Sequence, residues 1–164
     1  MKSSRFGMKQ QRLEQRRISL GQAHKTGVRT QFAALCYRLH NGKPEFCLIT
    51  SRQTKRWIVP KGWPVDGATP TDAAATEAFE EAGLEGKVHA LPAGLFSYLK
   101  LNEEGGADLP CVAVVYPLKV QKVHATWPES KERRRKWFSR RKAAERVSEP
   151  ELRQIILSFD PGRH

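Results

Sequence analysis

Apolar runs separated by turn residues predict a β-hairpin near the start of the folded chain. Residues 29–39 (RTQFAALCYRL) and 45–52 (EFCLITSR) are rich in β-branched, aromatic and aliphatic side chains, which is typical of strands. The intervening residues 40–44 (HNGKP) contain Asn-Gly, a pair that favours the tight turn joining two antiparallel strands. The first folded element is therefore predicted to be a hairpin.

A helix is predicted in the middle of the chain. A short apolar piece at residues 57–59 is followed by a loop rich in proline and glycine. The helix after this loop is expected to run from Asp72 to Ala82. Thr71 and Asp72 offer side-chain oxygens to the unpaired amides of its first turn, and Gly83 stands where helices commonly end.

The rest of the chain is predicted to add three strand-rich runs and two helices. The strands are expected at 88–101, 109–120 and 133–139, and the helices at 140–146 and 149–158. Ser139 and Ser148 precede these helices as N-caps. A hairpin, a helix, further strands and terminal helices together predict an α+β fold arranged as an α/β/α sandwich.

Charge divides the 164 residues into a basic arm, residues 1–27, and one domain, residues 28–160. The arm holds seven Lys or Arg against Glu14, so it carries +6 of the formal net charge of +12. Because it has few apolar positions, it is predicted to be mobile. The competing interpretation is a helix in which Leu13, Ile18 and Leu20 cover a sheet edge.

Composition narrows the partners and the compartment. The positive charge favours polyanions, and charge alone leaves nucleic acid, an acidic membrane surface and a phosphate-rich small molecule open. The candidate chemistry below favours the small molecule as the partner over nucleic acid. Cys36, Cys47 and Cys111 lie far apart in strand-like runs without a Cys-x-x-Cys pair, which predicts buried free thiols in a reducing compartment. No apolar run has the length of a membrane span or signal peptide, so a cytoplasmic location is predicted. The oligomeric state is left open.

Three glutamates share one face of the predicted central helix. At about 100° per residue, Glu80 lies about 60° to one side of Glu77, and Glu81 about 40° to the other. The opposite face is expected to pack on the sheet through Ala75, Ala78, Phe79 and Ala82. Neighbouring carboxylates repel each other unless a cation lies between them, and Mg²⁺ prefers oxygen ligands. The alternative is a solvated acidic surface.

Residues 62–84 (GWPVDGATPTDAAATEAFEEAGL) resemble the Nudix box, G-x5-E-x7-R-E-U-x-E-E-x-G-U, where U is a bulky aliphatic residue. The early Glu of the box is Ala68 here, and its Arg is Thr76. The resemblance implies a Nudix fold, with a mixed sheet between helices, and a loop-helix-loop that binds Mg²⁺ or Mn²⁺. It also implies that Glu77, Glu80 and Glu81 ligate metal or accept the proton of water, and that the Gly62 carbonyl adds a ligand.

The resemblance extends to the diphosphoinositol polyphosphate and diadenosine polyphosphate phosphohydrolases. It is carried by Ser51-Arg52 and WIVPKG ahead of the box, and by the basic run RRRKWF at residues 133–138. Arginine offers forked donors to phosphate oxygens. The predicted substrate contacts are Arg29, Arg52, Lys61, Arg133 and Arg135. Two tryptophans, Trp57 and Trp137, are expected either to stack on a base or to pack in the core.

The predicted reaction is metal-dependent hydrolysis of a phosphoanhydride bond in a nucleoside-diphosphate-linked, dinucleoside polyphosphate or diphosphoinositol substrate. Which glutamate is the general base stays open. One alternative is a 5′-pyrophosphohydrolase of RNA, favoured by the basic arm. Another is a ligand sensor with weak or no turnover, favoured by Ala68 and Thr76. The least favoured is a nucleic-acid-binding module with a solvated acidic helix.

Overall fold

The computed structural model describes Gln15, Arg17 and residues 29–101, 105–106 and 108–164. Within these residues the strands are β1 Thr30–His40, β2 Lys43–Thr50, β3 Trp57–Ile58, β4 Lys61–Gly62, β5 Leu84–Val88, β6 Gly94–Lys100, β7 Leu109–Val123 and β8 Arg135–Ser139. The helices are α1 Pro70–Ala82, α2 Arg140–Arg146 and α3 Pro150–Ser158, and a 3-10 turn follows at Pro161–Arg163. The predicted arm, residues 1–27, lies outside the described residues except for Gln15 and Arg17.

All eight strands belong to one mixed sheet with the main order β3-β2-β1-β7-β5. The central pair, β1 and β7, is parallel, whereas β4 pairs with β1, β6 with β7 and β8 with β2 in antiparallel fashion. The predicted hairpin is confirmed as β1 and β2. Its turn places Asn41 at φ 51° and Gly42 at φ 74°, the conformation for which Asn-Gly is favoured.

The central strand β1 is buried on both faces. Leu35 and Tyr37 belong to the core that packs against α2 and α3, while Ala34 and Cys36 belong to the core that packs against α1. This alternation explains why residues 32–37 form a continuous apolar run, since a strand between two helical layers has no solvent face. The predicted α/β/α sandwich is confirmed. The three cysteines are buried free thiols, also as predicted.

The predicted cap of α1 is wrong by two positions. The helix begins at Pro70, and the hydroxyl of Thr69 accepts a hydrogen bond from the Asp72 amide at 3.1 Å. Proline is well placed in the first turn because its missing N–H has no partner to lose there. Gly83 ends the helix at φ 65° as predicted.

The two C-terminal helices differ in how they begin. Ser139 caps α2 by accepting from the Lys142 amide, as predicted. The predicted cap Ser148 is wrong, because Glu149 occupies the N-cap position of α3 and makes no side-chain capping hydrogen bond. Pro150 again starts the helix.

The buried face of α1 is rotated from the predicted one. The buried residues are Ala73, Ala74, Ala78, Glu81 and Ala82, whereas Phe79 is 37% exposed and lies edge-on to the His124 ring. Phe79 is therefore not the anchor that the pattern predicted. The alanines allow close contact with the sheet, and the rotation carries Glu81 inward.

The predicted strand at 88–101 is confirmed only as β6, Gly94–Lys100, and the strand before it, β5, was not predicted. β5 begins directly after α1 at Leu84 and ends at Val88, and β6 begins at Gly94. β5 shifts register against β7 between Glu85 and Gly86. A side chain at Gly86 would overlap the backbone carbonyl of Lys119, so the close approach of these strands requires glycine.

Gln15 joins one point of the arm to the domain. Its side-chain amide donates to the Ala90 carbonyl at 3.0 Å, and its side-chain oxygen accepts from the Thr71 amide at 3.0 Å. Arg17 donates to the Gly67 carbonyl at 3.3 Å. At these two described positions the chain contacts the first turn of α1 and the loop before it.

Candidate active site

A charged cleft opens beside α1, where β4, the end of β6 and the connection from β7 to β8 come together. Its cationic lining is Arg52, Arg56, Lys61, Lys100 and Arg133. Its carboxylates are Glu81 and Glu149. Cations on several separate elements therefore face one space, which suits a ligand with several negative charges.

Gly62 brings the backbone of β4 against Glu77. A Cβ atom at position 62 would overlap the carboxyl group of Glu77, so only glycine leaves room for this approach. The second residue of β4 is thereby placed beside the first helical glutamate of the predicted site.

Glu81 is the buried member of the cluster, with 8% of its surface exposed. Its Oε2 accepts from the backbone amide of Lys61 at 3.2 Å, and its Oε1 lies 3.3 Å from Nη2 of Arg133. These contacts orient the carboxylate across the floor of the cleft. Burial raises the pKa of Glu81, although Arg133 and Lys61 oppose the rise.

Burial also raises the pKa of Glu77, to about 8, with further contributions from the charges of Glu81, Glu80 and Glu129. Several carboxylates thus lie close together and repel one another, because the nearby positive charge does not offset all of their negative charge. Glu80, the third predicted ligand, is exposed on the outer side of the helix.

Thr76 and Ala68, the two residues that depart from the Nudix box, make hydrogen bonds to residues close to them in the chain. The Thr76 hydroxyl donates to the Asp72 carbonyl at 2.9 Å, and the Ala68 amide donates to the Val65 carbonyl at 3.1 Å. The cation beside Glu81 comes instead from Arg133, which lies outside the box, and is 8% exposed. Arg133 also donates to the Thr50 carbonyl at 3.1 Å and pairs with Glu129 at 3.3 Å.

The donor set fits a hard divalent cation. No group of three or more His, Cys, Asp or Glu side chains among the described residues already has the arrangement of a metal site. However, Mg²⁺ is commonly held by one or two carboxylates, with water and substrate phosphate completing its shell. Glu77, Glu81 and the Gly62 carbonyl offer oxygen ligands of this kind, and the raised pKa values mark negative charge that a cation would stabilise.

The structure brings three of the five predicted substrate contacts to the cleft, namely Arg52, Lys61 and Arg133. Arg52 lies 3.5 Å from Glu132 and keeps an exposed side chain. The ammonium of Lys61 lies 4.8 Å from the centre of the Tyr98 ring. Burial lowers the pKa of Lys61, and the charges of Glu81 and Glu149 oppose that change.

The other two predicted contacts lie elsewhere. Arg29 is exposed and lines a separate apolar groove with Pro110 and Val112. Arg135 stacks on Trp127 and donates to the carbonyls of Ala82 at 2.7 Å and His124 at 2.8 Å. It therefore holds the C-terminal end of α1, where a positive charge also suits the helix dipole.

Both tryptophans that were candidates for base stacking are engaged in packing. Trp57 lies edge-to-face on Phe138 with ring centres 5.0 Å apart. Trp137 carries the guanidinium of Arg38 at 4.0 Å from its ring centre. Among the residues that line the cleft, Tyr98 is the aromatic side chain.

Sequence reasoning missed Arg56, Glu129, Glu149, Tyr98 and Lys100. Glu129 is the one with a local signal, since it precedes Arg133 by four residues, a spacing that pairs opposite charges on one helical turn. Tyr98 and Lys100 come from β6, and Glu149 from the start of α3. Only the sheet order brings these residues beside β4 and α1.

Gly62→Ala is expected to reduce activity without unfolding the domain. The added methyl meets the flexible end of Glu77, so the carboxyl group moves while the backbone persists. A displacement of about 1 Å in such a site costs about 100-fold in turnover. Activity and melting temperature, measured with and without Mg²⁺, check this result. An unchanged activity would show that the position of Glu77 beside Gly62 is unimportant.

Comparison with known proteins connects this geometry to a family. The sequence-family model described as the NUDIX domain matches residues 29–159 of this chain. Nudix hydrolase 12, mitochondrial, of Arabidopsis thaliana is 32% identical over 105 residues, covering 63% of this chain and 52% of that protein. Diphosphoinositol polyphosphate phosphohydrolase 3-beta of Bos taurus is 33% identical over 114 residues, covering 68% and 65%. The chain thus spans between half and two thirds of the length of these relatives.

A solved structure shares the fold. The Ap4A hydrolase of C. elegans superposes with a TM-score of 0.56 at 21% identity, covering 79% of this chain and 93% of that one. Gly62, the glutamates of α1 and the whole sheet lie within the residues matched by the family model. The chain therefore belongs to the NUDIX family.

Proposed function

We propose that this protein hydrolyses a phosphoanhydride bond in a small, phosphate-rich substrate with the help of Mg²⁺ or Mn²⁺. The observation that carries the proposal is that Glu81 lines a cleft together with Arg52 and Lys61, while Glu77 on the same helix lies against Gly62, the residue after Lys61. The names of the relatives support the same reaction class, since they include a diphosphoinositol polyphosphate phosphohydrolase and an Ap4A hydrolase.

Each part of the cleft has a distinct task in this proposal. Glu77, Glu81 and the Gly62 carbonyl would hold the metal, with Glu80 as a further carboxylate on the exposed side of α1. Bound metal offsets the charge of the phosphates and lowers the pKa of water. Arg52, Lys61, Arg56 and Lys100 draw in and orient the phosphate groups. Arg133 holds Glu81, so the buried carboxylate keeps one orientation while substrate binds.

The proposed substrate classes are dinucleoside polyphosphates and diphosphoinositol polyphosphates. The cationic lining suits both, and both occur in the names of similar proteins. Initial rates should be compared for diadenosine tetraphosphate, a diphosphoinositol pentakisphosphate, ADP-ribose and triphosphorylated RNA, each with Mg²⁺, Mn²⁺ or chelator. Metal-dependent release of phosphate products from one of the small molecules would support the proposal. Turnover confined to the RNA would favour RNA 5′-pyrophosphohydrolysis instead.

A second candidate is a NUDIX domain that binds its ligand with little or no turnover. The positions of the early Glu and the Arg of the box are Ala68 and Thr76, and neither side chain contributes a charge to the cleft. Calorimetric binding of the same panel, with no product formed over hours, would favour this candidate over the enzyme.

The cellular location remains a prediction. No helix among the described residues is long and apolar enough to cross a membrane. The cytoplasmic prediction rests on composition, and three of the similar plant proteins carry the word mitochondrial in their names.

The stability of the metal-free protein is expected to fall as pH rises from about 5 to about 8. The pKa of Glu77 is about 8 in the folded state against 4.5 as its ordinary value, so the folded protein holds a proton that the unfolded chain releases. Stability therefore decreases across this window. Each kcal/mol lost lowers the melting temperature by about 2–4 °C in a chain of this size.

Mg²⁺ should counteract this loss, with the largest rise in melting temperature near pH 8, because its carboxylate ligands must be deprotonated. Melting curves between pH 5 and 9, with chelator or Mg²⁺, measure both effects. Glu77→Gln is the matched variant and should flatten the metal-free profile. A profile that keeps its slope in this variant would assign the pH dependence to another group.

A further inference from the structure

Glu149 is the one described residue whose side chain keeps a buried polar atom without a hydrogen-bond partner. Its Oε2 is buried and has no such partner among the described residues, and the side chain lines the cleft. Glu149 is the N-cap residue of α3, yet its carboxylate does not cap the helix. Local helix structure therefore does not explain where this oxygen points.

The carboxylate of Glu149 disfavours binding of a ligand that presents only phosphate groups to this part of the cleft. The surrounding lining is cationic, through Arg52, Arg56, Lys61 and Lys100. A phosphate oxygen brings negative charge and accepts hydrogen bonds, so it repels Glu149 and cannot satisfy its oxygen. A buried acceptor left unpaired costs free energy, and a ligand hydroxyl that reaches the Glu149 carboxylate from the cleft would supply the missing donor.

Glu81 and Glu149 also act on the same cation. The negative charges of both residues favour the charged form of Lys61. Lys61 is adjacent to Gly62, at the end of the cleft that holds the helical glutamates. Because Lys61, Glu81 and Glu149 line the same cleft, a substrate whose anhydride lies beside Glu81 has its neighbouring groups on the side of Glu149.

We infer that Glu149 accepts a hydrogen bond from a hydroxyl group of the substrate, so that the cleft selects anhydrides with a free hydroxyl over those in which every hydroxyl is phosphorylated. Carboxylates serve this purpose for ribose hydroxyls in other nucleotide sites. The inference rests on the proposed function and chooses between its two substrate classes. It favours a nucleoside or sugar group beside the phosphates over a fully phosphorylated inositol.

The test compares two substrates across three proteins. Diadenosine tetraphosphate has free hydroxyls, whereas a diphosphoinositol pentakisphosphate has none. The ratio of their kcat/KM values should favour diadenosine tetraphosphate in the unmodified protein. Glu149→Gln should lower this ratio by about 10-fold to 100-fold, the effect of one hydrogen bond to a charged group. Glu149→Lys should lower it further, because the position then attracts phosphate.

Deoxy analogues identify the contact. The unmodified protein should discriminate about tenfold or more against the 2′-deoxy or the 3′-deoxy form of diadenosine tetraphosphate, and Glu149→Gln should remove that difference. Glu151→Gln is the control, because Glu151 lies two residues further along, in the first turn of α3, is exposed and bonds to Ser97 outside the cleft. Glu151→Gln should leave unchanged both the kcat/KM ratio of the two substrates and the discrimination against the deoxy analogues. Melting temperatures of all variants check that α3 remains folded.

Three results would overturn the inference: a substrate ratio that stays within about threefold in Glu149→Gln, no discrimination against either deoxy analogue, or an equal loss on every substrate. The last result would instead indicate a general base or a role in stability. The same pairs should be compared by equilibrium binding to Glu77→Gln. If the unmodified protein hydrolyses nothing but binding still depends on Glu149 and the hydroxyl, the proposed function fails and the inference stands.

Discussion

Glu77→Gln is expected to abolish most turnover while leaving the fold intact or more stable. The variant keeps the size of the side chain but removes a charge from a cluster in which Glu80, Glu81 and Glu129 already repel it. Loss of a group that handles metal or protons reduces rates by about 10²–10⁴-fold. The metal-free melting temperature at pH 8 should stay equal or rise, because the carboxyl group at position 77 no longer has to ionise in the folded protein.

The matched control for this variant is Glu85→Gln. Glu85 is an exposed glutamate on β5 that pairs with His124, away from the cleft. It should retain normal turnover and a normal response to Mg²⁺. Assays of kcat and KM, with melting curves on the same samples, separate the outcomes. Full activity in Glu77→Gln would remove Glu77 from the proposed site, and a large drop in its melting temperature would mean that its charge stabilises the fold.

Arg133→Met is expected to destabilise the protein by about 3–5 kcal/mol, or about 6–20 °C in melting temperature. The Arg133 side chain is 6% exposed and lies 3.3 Å from Glu81, whose side chain is 11% exposed. Removing the cation leaves a buried carboxylate without its ion-pair partner. The loss should shrink as pH falls, because Glu81, whose pKa is already raised by burial, then takes up a proton.

Arg134→Met provides the control for this prediction. Arg134 is the exposed neighbour, and its contact with the Thr50 hydroxyl is made by the backbone amide, which the substitution keeps. Its effect should stay within about 0.5 kcal/mol. The double variant Arg133→Met with Glu81→Gln should regain part of the lost stability, since the unpaired charge is gone.

The same series distinguishes two roles for Arg133. An orienting role lowers kcat together with stability, and Arg133→Lys rescues only part of both because lysine lacks the fork that spans Glu81, Glu129 and the Thr50 carbonyl. A direct contact with substrate, which the basic run predicts, would raise KM while leaving the melting temperature nearly unchanged. That outcome would contradict the structural assignment.

Local sequence was sufficient for most elements because their signals act over short distances. Asn41-Gly42 specifies a turn with two positive φ angles, and Gly83 specifies a left-handed helix end. The apolar run at residues 32–37 indicated a strand, and the structure explains why the run is continuous, because both faces of β1 are covered. The caps were harder to place, because Thr69, Thr71 and Asp72 all offer oxygens and only the position of Pro70 selects Thr69.

Side-chain orientation depended on the packed sheet. The wheel placed Phe79 on the inner face, yet the sheet accepts the alanines and turns Glu81 inward instead. A wheel gives the angles between residues but not the direction in which the helix meets its neighbour. Arg135 illustrates the same limit, because its place in a basic run gave no sign of the Ala82 and His124 carbonyls that engage it.

The sequence by itself determined the family, the hairpin, the helix that carries the glutamates and the glycine that approaches them, since each depends on residues close together in the chain. Only the tertiary structure decided which charges surround that helix. Arg133 is brought to Glu81 by the pairing of β8 with β2, and Glu149 reaches the cleft because α3 packs against β6. Electrostatic contacts across long sequence separations depend on sheet order and helix packing, which no local pattern encodes.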